Sequence, residues 1–244
     1  LASPHFFAGF ISGEVPTEFM AILKSDLHIH TSEDIEDLVL YSATELIDMA
    51  HRLGYSVLAI TNHNCVTYSE YFRDYAKERG IVLIPGMEAT IQGRHVLLHS
   101  LDFTQVKRDK IADLEYLKRP DNLIIAPHPY FPGLVSLRGM LRRHVNLFDA
   151  VEYCHCYTER LDFNRPAIKF AKEHNLPMIG TSDAHQRCQF HTTYSLIEAE
   201  PEPESVIQAV KSGKVQIVTR PLPLFLLLKI NLKMFWRNKI LKRF

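Results

Sequence analysis

Short apolar runs rich in β-branched residues recur along this chain, and several are followed at once by histidine or a carboxylate. These segments are Asp26-Leu27-His28-Ile29-His30-Thr31, Asn62-His63-Asn64, Gly86-Met87-Glu88, Ala126-Pro127-His128-Pro129 and Gly180-Thr181-Ser182-Asp183-Ala184-His185. Strands are expected at Ala21–Ile29, Val57–Thr61, Ile81–Ile84, His95–Leu101, Leu123–Ala126, Ala150–Tyr153, Met178–Gly180 and Val215–Val218. Helical patterns lie between them. Ser42-Ala43-Thr44-Glu45 is a capping box that opens a helix through Arg52, and Gly54 stops it. Further helices are expected over Tyr68–Arg79, Val106–Leu117, Leu134–His144, Asn164–His174 and Glu204–Lys211. A β-α-β-α rhythm of this kind gives a parallel sheet covered by helices. The polar residues fall at the ends of many strands, which favours a closed α/β barrel with its chemistry on one rim. An open sheet would gather them near one switch point.

The length of 244 residues suits one domain of barrel size or two small ones. Lys+Arg and Asp+Glu balance at 28 each, so no global charge draws the chain to nucleic acid or membrane. Cys65, Cys154, Cys156 and Cys188 form no CxxC pair, which points to free thiols and a cytoplasmic location. No run of about 20 apolar residues is present. Met20 stands just before the first strand and is a natural start; by domain, residues 1–23 are expected to form an N-terminal extension, 24–219 the domain and 220–244 a tail.

Strand alternation places Asp26, His28 and His30 on one face, with Leu27 and Ile29 on the other. Imidazoles two apart can share an ion, and Asp26 can orient one of them or bind directly. Glu88 follows a Pro-Gly bend and could bridge two ions through its two oxygens. His95 and His99 share a strand face, and either could add to the second ion or be a satisfied core histidine. The prolines around His128 fix its direction. Asp183 and His185 follow small residues that let backbone approach a ligand. Arg160 reads either as a fork onto phosphate or as a surface arginine. Cys154-His155-Cys156 has no second cysteine pair and reads as buried thiols rather than a zinc site.

Taken in order, HxH, an NH pair, GxE, a strand histidine, APHP and GTSDAH resemble the PHP (polymerase and histidinol phosphatase) family over about Ser25 to Val218. The resemblance implies a distorted, TIM-like (β/α)7 barrel of seven strands. It implies two or three divalent metal ions (zinc, manganese or iron) that hydrolyse a phosphate ester through a bridging hydroxide. Carried over, His28, His30, Glu88 and Asp183 hold the first ion, and Glu88, His95 and His128 the second. His63 and His185 hold the third with a loop carboxylate, Asp34 first and Asp37 second in order of choice. His63, Glu88, Asp183 and His185 are the expected catalytic set. Asn62 stands where the family usually has Asp, which removes a charge beside the third ion. The expected substrate is a small phosphorylated metabolite or a nucleotide. A 5′-to-3′ nucleic-acid phosphodiesterase and a metal-binding scaffold with little turnover are the alternatives.

Residues 220–244 differ in kind. They carry seven basic residues (Arg220, Lys229, Lys233, Arg237, Lys239, Lys242 and Arg243) and no acid, among Leu, Phe235, Trp236 and Ile240. Such a segment either lies on a membrane surface as an amphipathic helix or packs on the barrel and displays its cations.

Overall fold

The computed structural model describes residues 20–230 and 232. The expected start at Met20 and most of the basic tail concern chain outside or at the border of these residues. Nine strands form one sheet: β1 (Ala21–Ile29), β2 (Val57–Ile60), β3 (Val82–Ile91), β4 (Arg94–His99), β5 (Leu123–Ala126), β6 (Ala150–Cys154), β7 (Met178–Thr181), β8 (Thr193–Ala199) and β9 (Val215–Thr219). Their order is β7-β6-β5-β4-β3-β2-β1-β8-β9, so β1 to β7 neighbour one another in chain order. A parallel bridge between Ile29 and Ala184 joins β1 to the chain just behind β7 and closes those seven into a ring. The barrel therefore has the expected ring of seven, with β8 and β9 added as an antiparallel pair, joined through a helix, on the lower half of β1. The alternating Thr193-Tyr194-Ser195-Leu196-Ile197 carried the signal for β8 that the sequence reading passed over.

Gly180 sits where the β8–β9 pair leans on β7. A side chain there would meet Ile217 Cγ2 at 2.6 Å, and the Gly180 N–H and C=O both bond to Ser195 Oγ at 2.9 Å. Its smallness serves barrel closure, not the approach of a ligand. β3 runs unbroken through Pro85 and Gly86, so the expected bend is absent. Gln92 and Gly93, both with positive φ, turn β3 tightly into β4. β4 is the one strand of the ring that runs antiparallel to its neighbours, and its first residues therefore lie at the same end as the last residues of the others.

The helices are α1 (Ala43–Arg52), α2 (Glu70–Lys77), α3 (Gly139–Arg143), α4 (Asn164–Glu173) and α5 (Pro203–Lys211). The capping box forms as read: Glu45 N–H donates to Ser42 Oγ (3.2 Å) and Ser42 N–H to Glu45 Oε2 (2.9 Å). Leu46, Ile47 and Ala50 of α1 pack on Ile29, Leu58 and Ile60 outside the ring. The long helices expected over 106–117 and 134–144 are short 3-10 and α turns. Inside the ring, Leu23, Leu27, Val57, Leu97, Leu123 and Ile179 form a core that Val206, Ile207 and Val210 of α5 close from below. Only the upper end is left for chemistry.

Strand β1 breaks the period-two expectation. Its register with β2 shifts between Asp26 and Ile29, which marks a bulge. Leu27 packs into the barrel core while His28 also points inward, and Ile29 packs outward under α1. Asp26 lies on the outward side near Tyr41 and Tyr55, so it is not on the face of His28 and His30.

Candidate metal centre

Glu88 comes from the middle of β3, is 1% exposed, and sits at the centre of the upper end. His28 Nε2 and His30 Nε2 lie 3.3 and 3.2 Å from its Oε2, 3.2 Å from each other, and both 3.4 Å from Asp183 Oδ1. These five separations match the spacing of donor atoms that share one ion at about 2.0 Å, the length of a metal–imidazole or metal–carboxylate bond. Four donors converge there although they come from β1, β3 and the loop behind β7.

The second oxygen of Glu88 faces a different pair. Its Oε1 lies 2.7 Å from His95 Nδ1 and 3.1 Å from His128 Nε2. His95 is the second residue of β4, diagonal to Glu88 across the hairpin, and His128 follows β5. A third group brings His30, His63 and His185 together. His63 Nε2 is 3.1 Å from Glu88 Oε2, and His185 Nε2 is 3.1 Å from Asp37 Oδ2. His95 Nδ1 and His185 Nε2 are buried without a hydrogen bond in line, although a carboxylate lies alongside each. Buried nitrogens in that state fit a cation as their partner. The backbone at His128 (φ 27°) and Asp183 (φ 43°) is left-handed, a strain of about 1–3 kcal/mol each that the fold bears to aim these side chains.

A ring of outer residues aims the donors. Glu152 is fully buried on β6; its Oε1 faces His28 Nδ1 at 2.7 Å, its Oε2 accepts from the His128 N–H at 2.5 Å, and Thr181 Oγ1 donates to it. The sequence reading missed it, although a lone acid inside Ala150-Val151-Glu152-Tyr153-Cys154 was the available signal. Asp34 corrects the first choice for a loop ligand. Its Oδ2 faces His30 Nδ1 and His63 Nδ1, both at 2.9 Å, and accepts from the His63 N–H at 2.8 Å. Its Oδ1 accepts from the N–H groups of Glu36 and Asp37. Asp34 thus grips the far side of two rings, and Asp37 is the carboxylate that reaches His185. Asn62 is buried and committed: its Oδ1 accepts from the Thr31 N–H, and its Nδ2 donates to Thr31 and Thr67 hydroxyls.

Burial alone would raise Glu88, but His95, His28 and His63 hold it well below the ordinary carboxylate range. Burial and His63 both oppose charge on His30, yet Asp183, Asp34 and Glu88 hold it up to about 9. Burial likewise opposes charge on His63, and Glu88 and Asp34 hold it up to about 11. Protons and carboxylates thus balance one another in this pocket, and a cation would take the place of those protons. All its donors are nitrogen and oxygen, a set that suits zinc, manganese or iron.

Two expected residues fall elsewhere. Arg160 is exposed and lines a separate cavity with Thr158, Leu161 and Pro221 to Leu224, away from the donors. His99 is a core histidine: it is fully buried, its Nε2 donates to the Leu27 carbonyl at 2.8 Å, and burial pushes its pKa down to about 4.

Comparison with known proteins agrees with this geometry. The PHP domain matches residues 26–160, and the PHP-associated region matches residues 162–215. An uncharacterized protein of Methanocaldococcus jannaschii is 27% identical over 124 residues, covering 45% of this chain and 70% of that protein. A 5′-3′ exoribonuclease of Haemophilus influenzae is 35% identical over 97 residues, which are 39% of this chain and only 34% of that enzyme. Among solved structures, a two-domain Bacteroides vulgatus protein containing a PHP-like metal-dependent phosphoesterase superposes with a TM-score of 0.64 at 21% identity, covering 89% of this chain and 71% of that one. The lesion-specific endonuclease Q of Pyrococcus furiosus superposes at 0.58 with 16% identity, covering 81% and 58%. With its domain matched over more than half its length and its donors gathered on one barrel rim, this chain belongs to the PHP family.

Proposed function

We propose that the protein hydrolyses phosphate esters with two or three divalent ions, acting on a small phosphorylated metabolite or a nucleotide. The observation that carries this reading is the convergent set of His28, His30, Glu88 and Asp183, with the second oxygen of Glu88 turned to His95 and His128. His63, His185 and Asp37 would complete a third position. Bound zinc, manganese or iron would neutralise the anionic ester oxygens and activate water at neutral pH. The chain's own part is to hold and aim. Glu88 ties two donor groups to one carboxylate, while Glu152 and Asp34 fix the imidazoles from behind. The cavity above holds about 200 Å³ and is walled by Phe131, Gly133 and Val135 opposite the donors. That is below the ~300 Å³ of a small-ligand cleft, so it suits a phosphoryl group with the rest of its substrate outside.

The test is a panel of sugar phosphates, mononucleotides and 5′-phosphorylated oligonucleotides, before and after chelation and re-metallation. Turnover that survives full chelation removes the reading, and metal binding with no turnover on any member supports a scaffold instead. The name of the Haemophilus relative favours a second reading, a 5′-to-3′ nuclease, for which oligonucleotides would outrun mononucleotides in the panel. The four free cysteines support a reducing, cytoplasmic setting for either reaction.

A peripheral membrane contact is a separate proposal. Residues 224–230 are helical; Leu227 and Ile230 pack with Leu222, while Leu224, Phe225 and Leu228 are exposed beside basic sequence. Among the described residues no helix is long and apolar enough to cross a membrane. Sedimentation with anionic vesicles, with and without residues after Arg220, tests it; equal binding by the two removes it.

A further inference from the structure

Directly behind β6 the chain sets a second group of donors into the wall of the same cavity. Cys154 and Cys156 both line it, and His155 between them is fully buried. In a regular strand residue 155 would point away from its two neighbours. Here the Tyr157 N–H donates to the His155 carbonyl at 2.8 Å, a three-residue turn. The Cys156 N–H also donates to Cys154 Sγ at 3.4 Å. The chain curls, and the three side chains converge: both sulfurs and an imidazole nitrogen lie within 4.8 Å of one another. Cys156 Sγ is 3.2 Å from His155 Nε2.

Hydrogen bonds around this group hold the histidine ring in place. Gln189 Oε1 accepts from the His185 N–H at 3.2 Å, which turns the Gln189 amide NH₂ toward His155 Nε2 at 3.0 Å. Burial opposes charge on His155, but Cys156, Asp183 and Glu152 push its pKa above the ordinary value, so a cation bound there would displace a proton from the ring. The Cys154 thiol, hydrogen-bonded to Cys156, holds that thiol down to about 6, and His155 adds to the effect. Nothing in the hydrolytic arrangement uses these three residues.

We propose that Cys154, His155 and Cys156 form an accessory site for a thiophilic divalent cation such as zinc or cadmium, separate from the histidine–carboxylate centre. Two thiolates and a neutral imidazole suit zinc-class ions, whereas manganese and magnesium prefer oxygen donors. Three protein donors leave one position facing the cavity. Binding is a proton exchange with no change of oxidation state: the cation binds both sulfurs and the imidazole, and each of these donors still protonated releases one proton to solvent. The site stands whether or not the larger centre hydrolyses phosphate esters.

The full chain, with its centre loaded with manganese, is titrated with cadmium while the thiolate-to-cadmium absorption in the near ultraviolet is followed. The expected result is a band that saturates at about one cadmium per chain and is absent from the C154S/C156S double variant. In parallel, each cysteine of the wild-type chain is alkylated and quantified by mass spectrometry. Zinc is expected to slow modification of Cys156 by about tenfold or more, whereas Cys188, which is exposed, keeps its rate. No band in the wild type, a band retained by the double variant, or alkylation of Cys156 indifferent to zinc would overturn the proposal. The alkylation result decides the matter by itself if the double variant fails to fold.

Discussion

His95 and His99 stand four residues apart on β4 and face the same interior, yet they occupy different chemical worlds. Four strand residues span about 13 Å, enough to pass from one layer of a barrel to the next. In the upper layer His95 meets Glu88 and has a ring nitrogen with no hydrogen bond in line. In the lower layer His99 Nε2 is tied to the Leu27 carbonyl, its Nδ1 also lacks a hydrogen bond in line, and burial holds the ring neutral, so the Glu88 carboxylate is what sets His95 apart. Gly86 makes room for that ring, since a side chain there would meet His99 Cδ2 at 3.2 Å and Thr61 Cγ2 at 2.8 Å. Depth in the barrel, not residue type or strand face, separates a ligand from a packing residue.

The sharpest way to break this contrast is at the shared carboxylate of the upper layer. Glu88→Gln is expected to lower metal content by at least one ion per chain and esterase turnover by ~10³-fold, because several kcal/mol of charge stabilisation leave with the ion. Elemental analysis and initial rates check both. Glu152→Gln touches no ion but loosens His28 and His128, and is expected to weaken metal affinity by about 10–100-fold in a competition titration with a chelator.

The pH dependence of the chelated protein sharpens the same comparison. His30 and His63 have pKa values raised to about 9 and about 11 in the folded chain. The stability they add is complete below about 6.5, the ordinary histidine value, and is lost as pH rises through 9 to 11. The Tm of the metal-free protein is therefore expected to fall between pH 8 and pH 11. The loaded protein, in which ions have displaced those protons, is expected to show a smaller fall. His99→Leu carries the smallest effect on the centre: metal content unchanged, with a loss of ~1–3 kcal/mol from the unpaired Leu27 carbonyl, read by urea denaturation. A drop in metal content in that variant would erase the distinction between layers.

Much of the site was legible because its donors sit at strand ends, where short apolar runs make the boundary visible. His28, His30, Glu88, His128 and Asp183 were named from that position alone, and the structure brings them together. Asp34 was placed ahead of Asp37 as the loop ligand without geometric support, because a loop with several acids has no periodicity to orient it. The two oxygens of Asp34 turn out to be spent on His30, His63 and nearby N–H groups. Glu152 escaped notice because it lies inside a strand with nothing local to mark its partners, which come from β1, β5 and β7. Arg160 drew attention by chemical type, but the turn behind β6 carries it to another cavity.

The bulge in β1 has one more consequence. By spending an extra residue, the strand looks inward at Leu27 and again at His28, so the apolar plug and the pocket floor are adjacent links of one chain. A slip of one position against β2 would present Ile29 where His28 belongs and leave the donor set incomplete. Cation uptake is therefore a gauge of correct strand pairing, and the fraction of refolded molecules that take up metal would count those in which this edge has zipped in register.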